Sequence, residues 1–562
     1  MGGDIMTKQN FHGSFVLVLH AHLPYVLHQN RLEEEMLFEA TAETYIPLLE
    51  MFNKLVDEGV SPKVTIGISP VLAEQLTNSY FKYKFREYCL LKMQYALQDQ
   101  NTFRNVNEHI SGLARMWEEF YSRTYTMFME KYNEDLLSAF KKLQDEGHIE
   151  IITCGATHAY FPALREDTSI QAQVKMAVKT HQRHFGKKPR GIWLPECGYR
   201  PPCDWSPPFT SDYGETPYPR KGVEEFLSEN DITYFVIDAH QLMRAWPNDI
   251  FKSPMETYLV GGAQIPKKPV TVFTRDIKLS AQVWWHQVGY PGDAAYLDFH
   301  KRHEGSKHRY WRITDNRLDM AYKELYYPDD SYRHRVKEHA GHYKWLIAQS
   351  LKSNYQNTGT ATLAMTAFDA ELFGHWWFEG PTFLYYVIKW IAADPETKSA
   401  TCSEYLDQNP ADIWVHLHES SWGRNYDSST WINPEVEWTW ERIYHAEKEI
   451  QYLAKDFASR KNDQTLQRIL KQAIRELFIL QASDWQFMIT NWSTRDLAEK
   501  RVVERHEDFI RLAKMAWDYG HGRNVPEEEW VFLHHCEMRN DVFPEPELGW
   551  FSKLDYPPKS KE

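Results

Sequence analysis

The sequence has no long apolar run, no block of basic residues and only six cysteines in 562 residues. Nothing approaches the roughly 20 apolar residues of a membrane-spanning helix, so no membrane partner is expected. Net charge is −14 at neutral pH, with acids and bases interspersed. Nucleic acid and anionic lipid need clustered Lys and Arg, so neither is an expected partner. The start, Met1-Gly2-Gly3-Asp4-Ile5-Met6, lacks a basic n-region and an apolar h-region. A cytoplasmic protein with reduced thiols is therefore expected, although Cys197 and Cys203 are close enough in sequence for a local pair. Internal repeats and low-complexity tracts are also missing.

Aromatic residues are abundant, at 15% of the chain with 21 Trp. Most must pack in a core, which 43% hydrophobic content makes large. A minority is expected to line a groove, where indole faces meet the C–H groups of sugar rings.

Short continuous apolar runs alternate with helical stretches. Phe15–Leu19, Val64–Ile68, Ile149–Thr153, Gly191–Leu194, Thr233–Ile237, Val270–Phe273 and Thr362–Thr366 read as strands buried on both faces. This predicts an α/β fold, a TIM-like barrel with fewer than eight strands, over about residues 1–405. Insertions are expected near 85–147 (helical), 197–222 (rich in Pro, Gly and Tyr) and 239–269 (a lid). Residues 406–562 read as an all-α C-terminal domain that contributes to the substrate groove.

Polar residues follow directly on these strands: His20, Cys154 with His158, Glu196, Asp238, Arg275 with Asp276, and Asp369. The carboxyl ends of barrel strands form the active face, so the segments should converge on one pocket. Glu196, in Trp193-Leu194-Pro195-Glu196-Cys197-Gly198-Tyr199, and Asp369, in Phe368-Asp369-Ala370-Glu371, form a carboxylate pair suited to cleaving a glycosidic bond. Glu371 competes with Asp369, but two residues on it should face away. His20 and His22, in His20-Ala21-His22, suit sugar hydroxyls or a zinc site such as an amidohydrolase's; sugar contacts are favoured. His158 is expected in the pocket, Trp422 and Trp431 as groove walls, and Asp484 as a charge reaching the groove.

Five ordered blocks resemble glycoside hydrolase family 57, and within it the 1,4-α-glucan branching enzymes. They are His20–Tyr25, Gly155–Pro162, Trp193–Tyr199, Phe368–Trp377 and the Ser483-Asp484-Trp485 helix. The resemblance implies an incomplete (β/α)7 barrel and a retaining mechanism on α-glucan, with no metal or organic cofactor. Glu196 would be the nucleophile and Asp369 the acid/base, their carboxyls roughly 5–5.5 Å apart. It also implies glucan contacts at Arg275, Gly292, Trp422 and Asp484, and resembles a catalytic loop at Tyr258. Trp284 joins Trp422 and Trp431 as the acceptor side. A glutamine expected past the Asp484 helix is replaced near Ser493. The alternatives are an α-amylase or 4-α-glucanotransferase, a zinc amidohydrolase and a non-catalytic glycogen-binding protein. A monomer or small homo-oligomer is expected.

Overall fold

The computed structural model describes residues 11–209, 217–248, 250–261, 268–285, 288–315 and 317–558. Seven parallel strands form the centre: β1 (Gly13–Ala21), β2 (Val64–Ile68), β3 (Ile149–Cys154), β4 (Gly191–Trp193), β5 (Tyr234–Ile237), β6 (Val270–Thr274) and β7 (Thr362–Asp369). They pair in the order β7-β1-β2-β3-β4-β5-β6. All seven coincide with the runs predicted from sequence.

Residue parity explains why those runs are apolar throughout. On β1, Val16 and Val18 face inward with Ile152, Trp193, Val236, Phe273, Met365 and Ala367. Phe15, Leu17 and Leu19 face the surrounding helices. The inward row on β1 ends at His20, and that on β7 ends at Asp369. These two residues are direct partners in the ladder.

The sheet curls without closing as a ladder. Among the described residues, β6 pairs on its outer side with an antiparallel strand, Tyr258–Val260, which pairs in turn with Trp414–Val415. The seam to β7 is joined by backbone bonds from Asp276 N to Met365 O (2.8 Å) and from Leu363 N to Met255 O (3.1 Å). The amino-terminal end of the barrel is plugged by Cys402 and Tyr405 from a later segment. There half-buried Glu150 accepts from the Tyr234 hydroxyl (2.7 Å) and from Ser403 N (2.9 Å), which ties the plug to the strands.

Long helices at Ser79–Phe103 and Glu108–Thr126 pack as a hairpin beside the barrel, in the region expected to be helical. The proline-rich segment forms a small hairpin, Cys203–Trp205 with Tyr218–Arg220, and its residues 210–216 lie outside the described residues. Of the segment expected to be a lid, residues 249 and 262–267 also lie outside the described residues. Cys197 and Cys203 are unpaired thiols. From residue 437 the chain is helical: Glu437–Phe457, Gln464–Leu480, Asp484–Thr490, Arg495–Gly520 and Glu527–Arg539. Ser483 N donates to His158 O (3.0 Å), which brings the start of the third of these helices to the barrel mouth.

Gly374 fixes the chain just past Asp369. Its φ is +122°, and a Cβ there would stand 1.7 Å from Glu43 O. Gly374→Ala should destabilise the fold by more than about 2 kcal/mol, from both strain and collision. Gly112, in open space on the helix Glu108–Thr126, is the control. Gly112→Ala should stabilise by about 0.5–1 kcal/mol. Thermal unfolding of the two variants should therefore move in opposite directions.

Candidate active site

Glu196 sits where β4 ends. The chain turns through Glu196 (φ 61°) and Cys197 (φ 50°), two consecutive left-handed non-glycine residues. Such backbone costs of order 1–3 kcal/mol per residue and persists only when its surroundings hold it. Here Cys197 N bonds Leu194 O (2.9 Å), Gly198 N bonds Pro195 O (2.9 Å), and Trp422 N bonds Glu196 O (3.0 Å). Gln241 adds a bond from Nε2 to Cys197 O (3.0 Å). The turn takes the carboxylate off the strand line and into the mouth, where its side chain is 13% exposed.

Both Glu196 oxygens accept hydrogen bonds: Oε2 from Trp422 Nε1 (2.8 Å), Oε1 from Ser483 Oγ (3.2 Å). Since the Ser483 hydroxyl donates to Glu196, it must accept from His158 Nδ1, 2.8 Å away. His158 Nε2 is then the acceptor for His20 Nε2 at 3.1 Å. The chain ends at His20 Nδ1, buried without a partner. It requires two neutral imidazoles. Burial pushes both well below the usual histidine range, and the neighbouring His22 pushes them further. His20 also stacks on Trp193, with ring centroids 5.0 Å apart.

His22 bonds Ser69 Oγ (2.9 Å) through Nδ1 and the Asp484 carboxylate (3.1 Å) through Nε2. Glu371 is committed to the barrel wall. Its Oε1 accepts from the Tyr45 hydroxyl (2.5 Å) and from His22 N (3.1 Å). That leaves Asp369 as the second acid facing the mouth. Across the opening, Arg275 pairs with Asp238, and its guanidinium lies 5.4 Å from the Trp422 ring centroid. Burial alone would raise Asp238, but the bond to His240 and the charge of Arg275 hold it at about 2.

The two facing acids are driven apart. Burial raises Asp369 well above the usual range, and the charges of Glu371 and Glu196 add to this against Arg275. Burial raises Glu196 to only about 7, because the Trp422 bond opposes it, with smaller help from His22 and Ser483. Burial thus favours the protonated form of both acids, but neighbouring carboxylates add to it at Asp369 while hydrogen bonds oppose it at Glu196. The difference has the sense that a general acid and a nucleophile need.

Three indoles extend the site. Trp422 lies 4.9 Å from Trp193 and 6.5 Å from Trp284, whose plane is within 23° of its own. Trp284 is 6.3 Å from Trp376, and these last two are 43% and 39% exposed. This open row can carry sugar rings.

The structure thus brings His20, His22, His158, Glu196, Arg275, Asp369, Trp422 and Asp484 to one mouth, with Trp284 at its rim. Two expectations fail. Tyr258 is fully buried in the strand beside β6, with its hydroxyl bonded to Ser253 N (2.7 Å) and Glu256 (3.1 Å). The nearby Met255 bonds Leu363, at the amino-terminal end of β7, opposite Asp369. Trp431 is 1% exposed and stacks on Tyr160 at 4.7 Å beneath Gly423, so it is core rather than wall. Gly292 closes a turn, Tyr290–Gly292, whose tyrosine packs on His339 and Phe383.

Sequence reasoning missed Ser483, Trp376 and Tyr426, which is 49% exposed and packs on His240 at 4.2 Å. The Trp376-Trp377 doublet was the signal for one of them. Among the described residues three side-chain groups have metal-like spacing: Glu476-Asp508-Cys536 in the helical region, and two at the mouth, His20-Cys154-His158 and His22-His158-Asp484. In both, histidine nitrogens already serve the hydrogen bonds just described.

Removing a donor to Glu196 should raise its pKa, because only the charged form gains from the bond. Ser483→Ala and Trp422→Phe should therefore move the acid limb of the kcat/KM profile up from about pH 7, by up to about one unit. Activity at pH 6 should fall more than activity at pH 8. A profile that only scales down, with its limb unmoved, would remove these donors from the account.

The family profile for glycosyl hydrolase family 57 matches residues 16–418, and that for the 1,4-alpha-glucan branching enzyme C-terminal domain matches residues 442–551. A 1,4-alpha-glucan branching enzyme of Thermococcus kodakarensis is 36% identical over 543 residues, spanning 94% of this chain and 77% of that protein. The crystal structure of a GH57-type branching enzyme from Pyrococcus horikoshii superposes with a TM-score of 0.89 at 36% identity, covering 98% of each chain. The α-amylase AmyC of Thermotoga maritima gives 0.82 at 29% identity, covering 97% of this chain and 100% of that one. The barrel, the two facing acids and these matches agree: the chain belongs to glycosyl hydrolase family 57.

Proposed function

We propose that the protein is a 1,4-alpha-glucan branching enzyme, with Glu196 as nucleophile and Asp369 as acid/base. The observation that carries the roles is the geometry at the mouth of a family 57 barrel. Glu196 accepts hydrogen bonds from Trp422 and Ser483, which favour its ionised form. Asp369 ends its strand beside His20, with no such donor to it among the described residues. The Glu196 carboxylate attacks the anomeric carbon of an internal glucose. The C1–O4 bond breaks as Asp369 gives its proton to the departing O4. The result is a glycosyl ester on Glu196 and an ionised Asp369. A 6-hydroxyl of a glucan chain then loses its proton to Asp369 as its oxygen attacks C1. The ester bond breaks, Glu196 is regenerated, and two inversions leave an α-1,6 link.

The hydrogen bonds from Trp422 and Ser483 spare a lone pair on each Glu196 oxygen for attack. His20, His22 and Asp484 line the place where sugar hydroxyls would lie, and Trp422, Trp284 and Trp376 offer rings to donor and acceptor chains. The C-terminal domain match at residues 442–551 supports branching over the other family activities.

The likeness to an α-amylase favours a second reading, in which water takes the place of the 6-hydroxyl. Incubation with amylose separates the two. Branching predicts new isoamylase-sensitive chains with few added reducing ends, and Glu196→Gln should lower their rate about a thousandfold or more. Reducing ends without branches would make the protein an amylase.

A further inference from the structure

We propose a second, non-catalytic α-glucan-binding site on the helical C-terminal region, built around Trp492 and Trp438. It rests on the α-glucan reading above. Trp492 is 72% exposed, an unusual place for an indole. It is also held firmly. Trp492 (φ 55°) and Thr494 (φ 53°) are both left-handed, and the Arg495 guanidinium lies 4.4 Å from the Trp492 ring centroid. Arg495 is fixed in turn by Glu499 (2.7 Å) and by Glu435 (2.6 Å).

Glu435 leads into the helix Glu437–Phe457, whose half-buried Trp438 repeats the arrangement, with Arg442 4.9 Å from its ring centroid. Between the helices Glu437–Phe457 and Arg495–Gly520 runs an open cleft of about 620 Å³, lined by Trp438, Arg442, Asp496, Glu499, Lys500 and Glu504. Trp492, with a guanidinium on one face, offers an exposed ring to a sugar rich in C–H groups, and Trp438, partly packed on the core, adds an indole to the wall of the neighbouring cleft. Both acids (Asp496, Glu499, Glu504) and bases (Arg442, Lys500) line the cleft, which suits hydroxyls that both donate and accept. A polyanion or polycation would meet repulsion there.

Position also points to glucan. The helix Asp484–Thr490 starts at the catalytic mouth, where Asp484 bonds His22, and Trp492 follows its end. The six helical steps from Asp484 to Thr490 rise about 9 Å, and Trp492 follows two residues on. Phe487, 43% exposed, lies between them. Thr490 ties this helix to the Trp422–Trp431 segment through Thr430 O (2.8 Å) and Asn433 (3.0 Å). A long chain leaving the mouth along this helix would reach the Trp492 platform, whereas a short one would not.

The test compares the intact wild type with Trp492→Ala, and with Trp492→Ala combined with Trp438→Ala. Trp492 is exposed enough for its single variant to fold. Two quantities are read: retardation by glycogen in native gels, and the ratio of kcat/KM on long amylose to that on maltosyl fluoride, whose two rings are too few to leave the mouth. Each substitution should weaken glycogen retention and lower the ratio by about fivefold. Wild-type retention and ratio in Trp492→Ala would overturn the proposal. So would a change in sedimentation with glycogen retention intact, which would make the cleft a contact between copies of the chain. A wild type that neither branches amylose nor is retarded by glycogen would instead refute the α-glucan reading itself.

Discussion

The hydrogen bonds that Trp422 and Ser483 donate to Glu196 favour its ionised form against the burial that opposes it. Moving a carboxylate from water into a pocket walled by Trp193, Trp422 and the barrel interior disfavours its ionised form. Asp369 undergoes the same burial, but the nearest charges include the carboxylates of Glu371 and Glu196, so its proton is held more tightly. The two acids differ because their surroundings differ. The rest of the mouth is arranged to keep that difference.

Geometry links this charge to remote parts of the chain. Glu196 stands on a strained turn after β4, Trp422 comes from a segment beyond the barrel strands, and Ser483 from the helical region. Ser483 can donate to Glu196 because neutral His158 donates to Ser483, and His158 accepts from neutral His20. His20 is placed by its ladder position beside Asp369. Glu196 and Asp369 are thus joined through a line of hydrogen bonds and one strand pairing. A single register shift on β1 would turn His20 away from the barrel interior and break that line.

The sequence shows the frame clearly, because a parallel strand buried on both faces needs an unbroken apolar run, and His20, Glu196, Asp238, Arg275 and Asp369 lie at or just past the end of one. Local sequence says less about contacts that cross the chain. The Ser483 and Trp422 bonds to Glu196 span 287 and 226 residues, and no motif spacing announces them. Aromatic residues are the harder case. Trp376 and Trp377 are neighbours, yet one rims the groove at 39% exposure and the other is core at 1%. Trp431 is a core residue because Tyr160 stacks on it, and Tyr258 because it adds a strand beside β6. Each assignment depends on a partner that only the tertiary fold supplies.

The division of labour between the two acids is tested most directly by trapping the intermediate. Asp369→Asn should still let Glu196 attack a maltosyl fluoride, whose leaving group needs no acid, while slowing the second step, which needs a base. Intact-mass measurement should then show one added maltosyl group, and peptide mapping should place it on Glu196. An adduct on another residue, or none under conditions where the fluoride is turned over, would contradict the account.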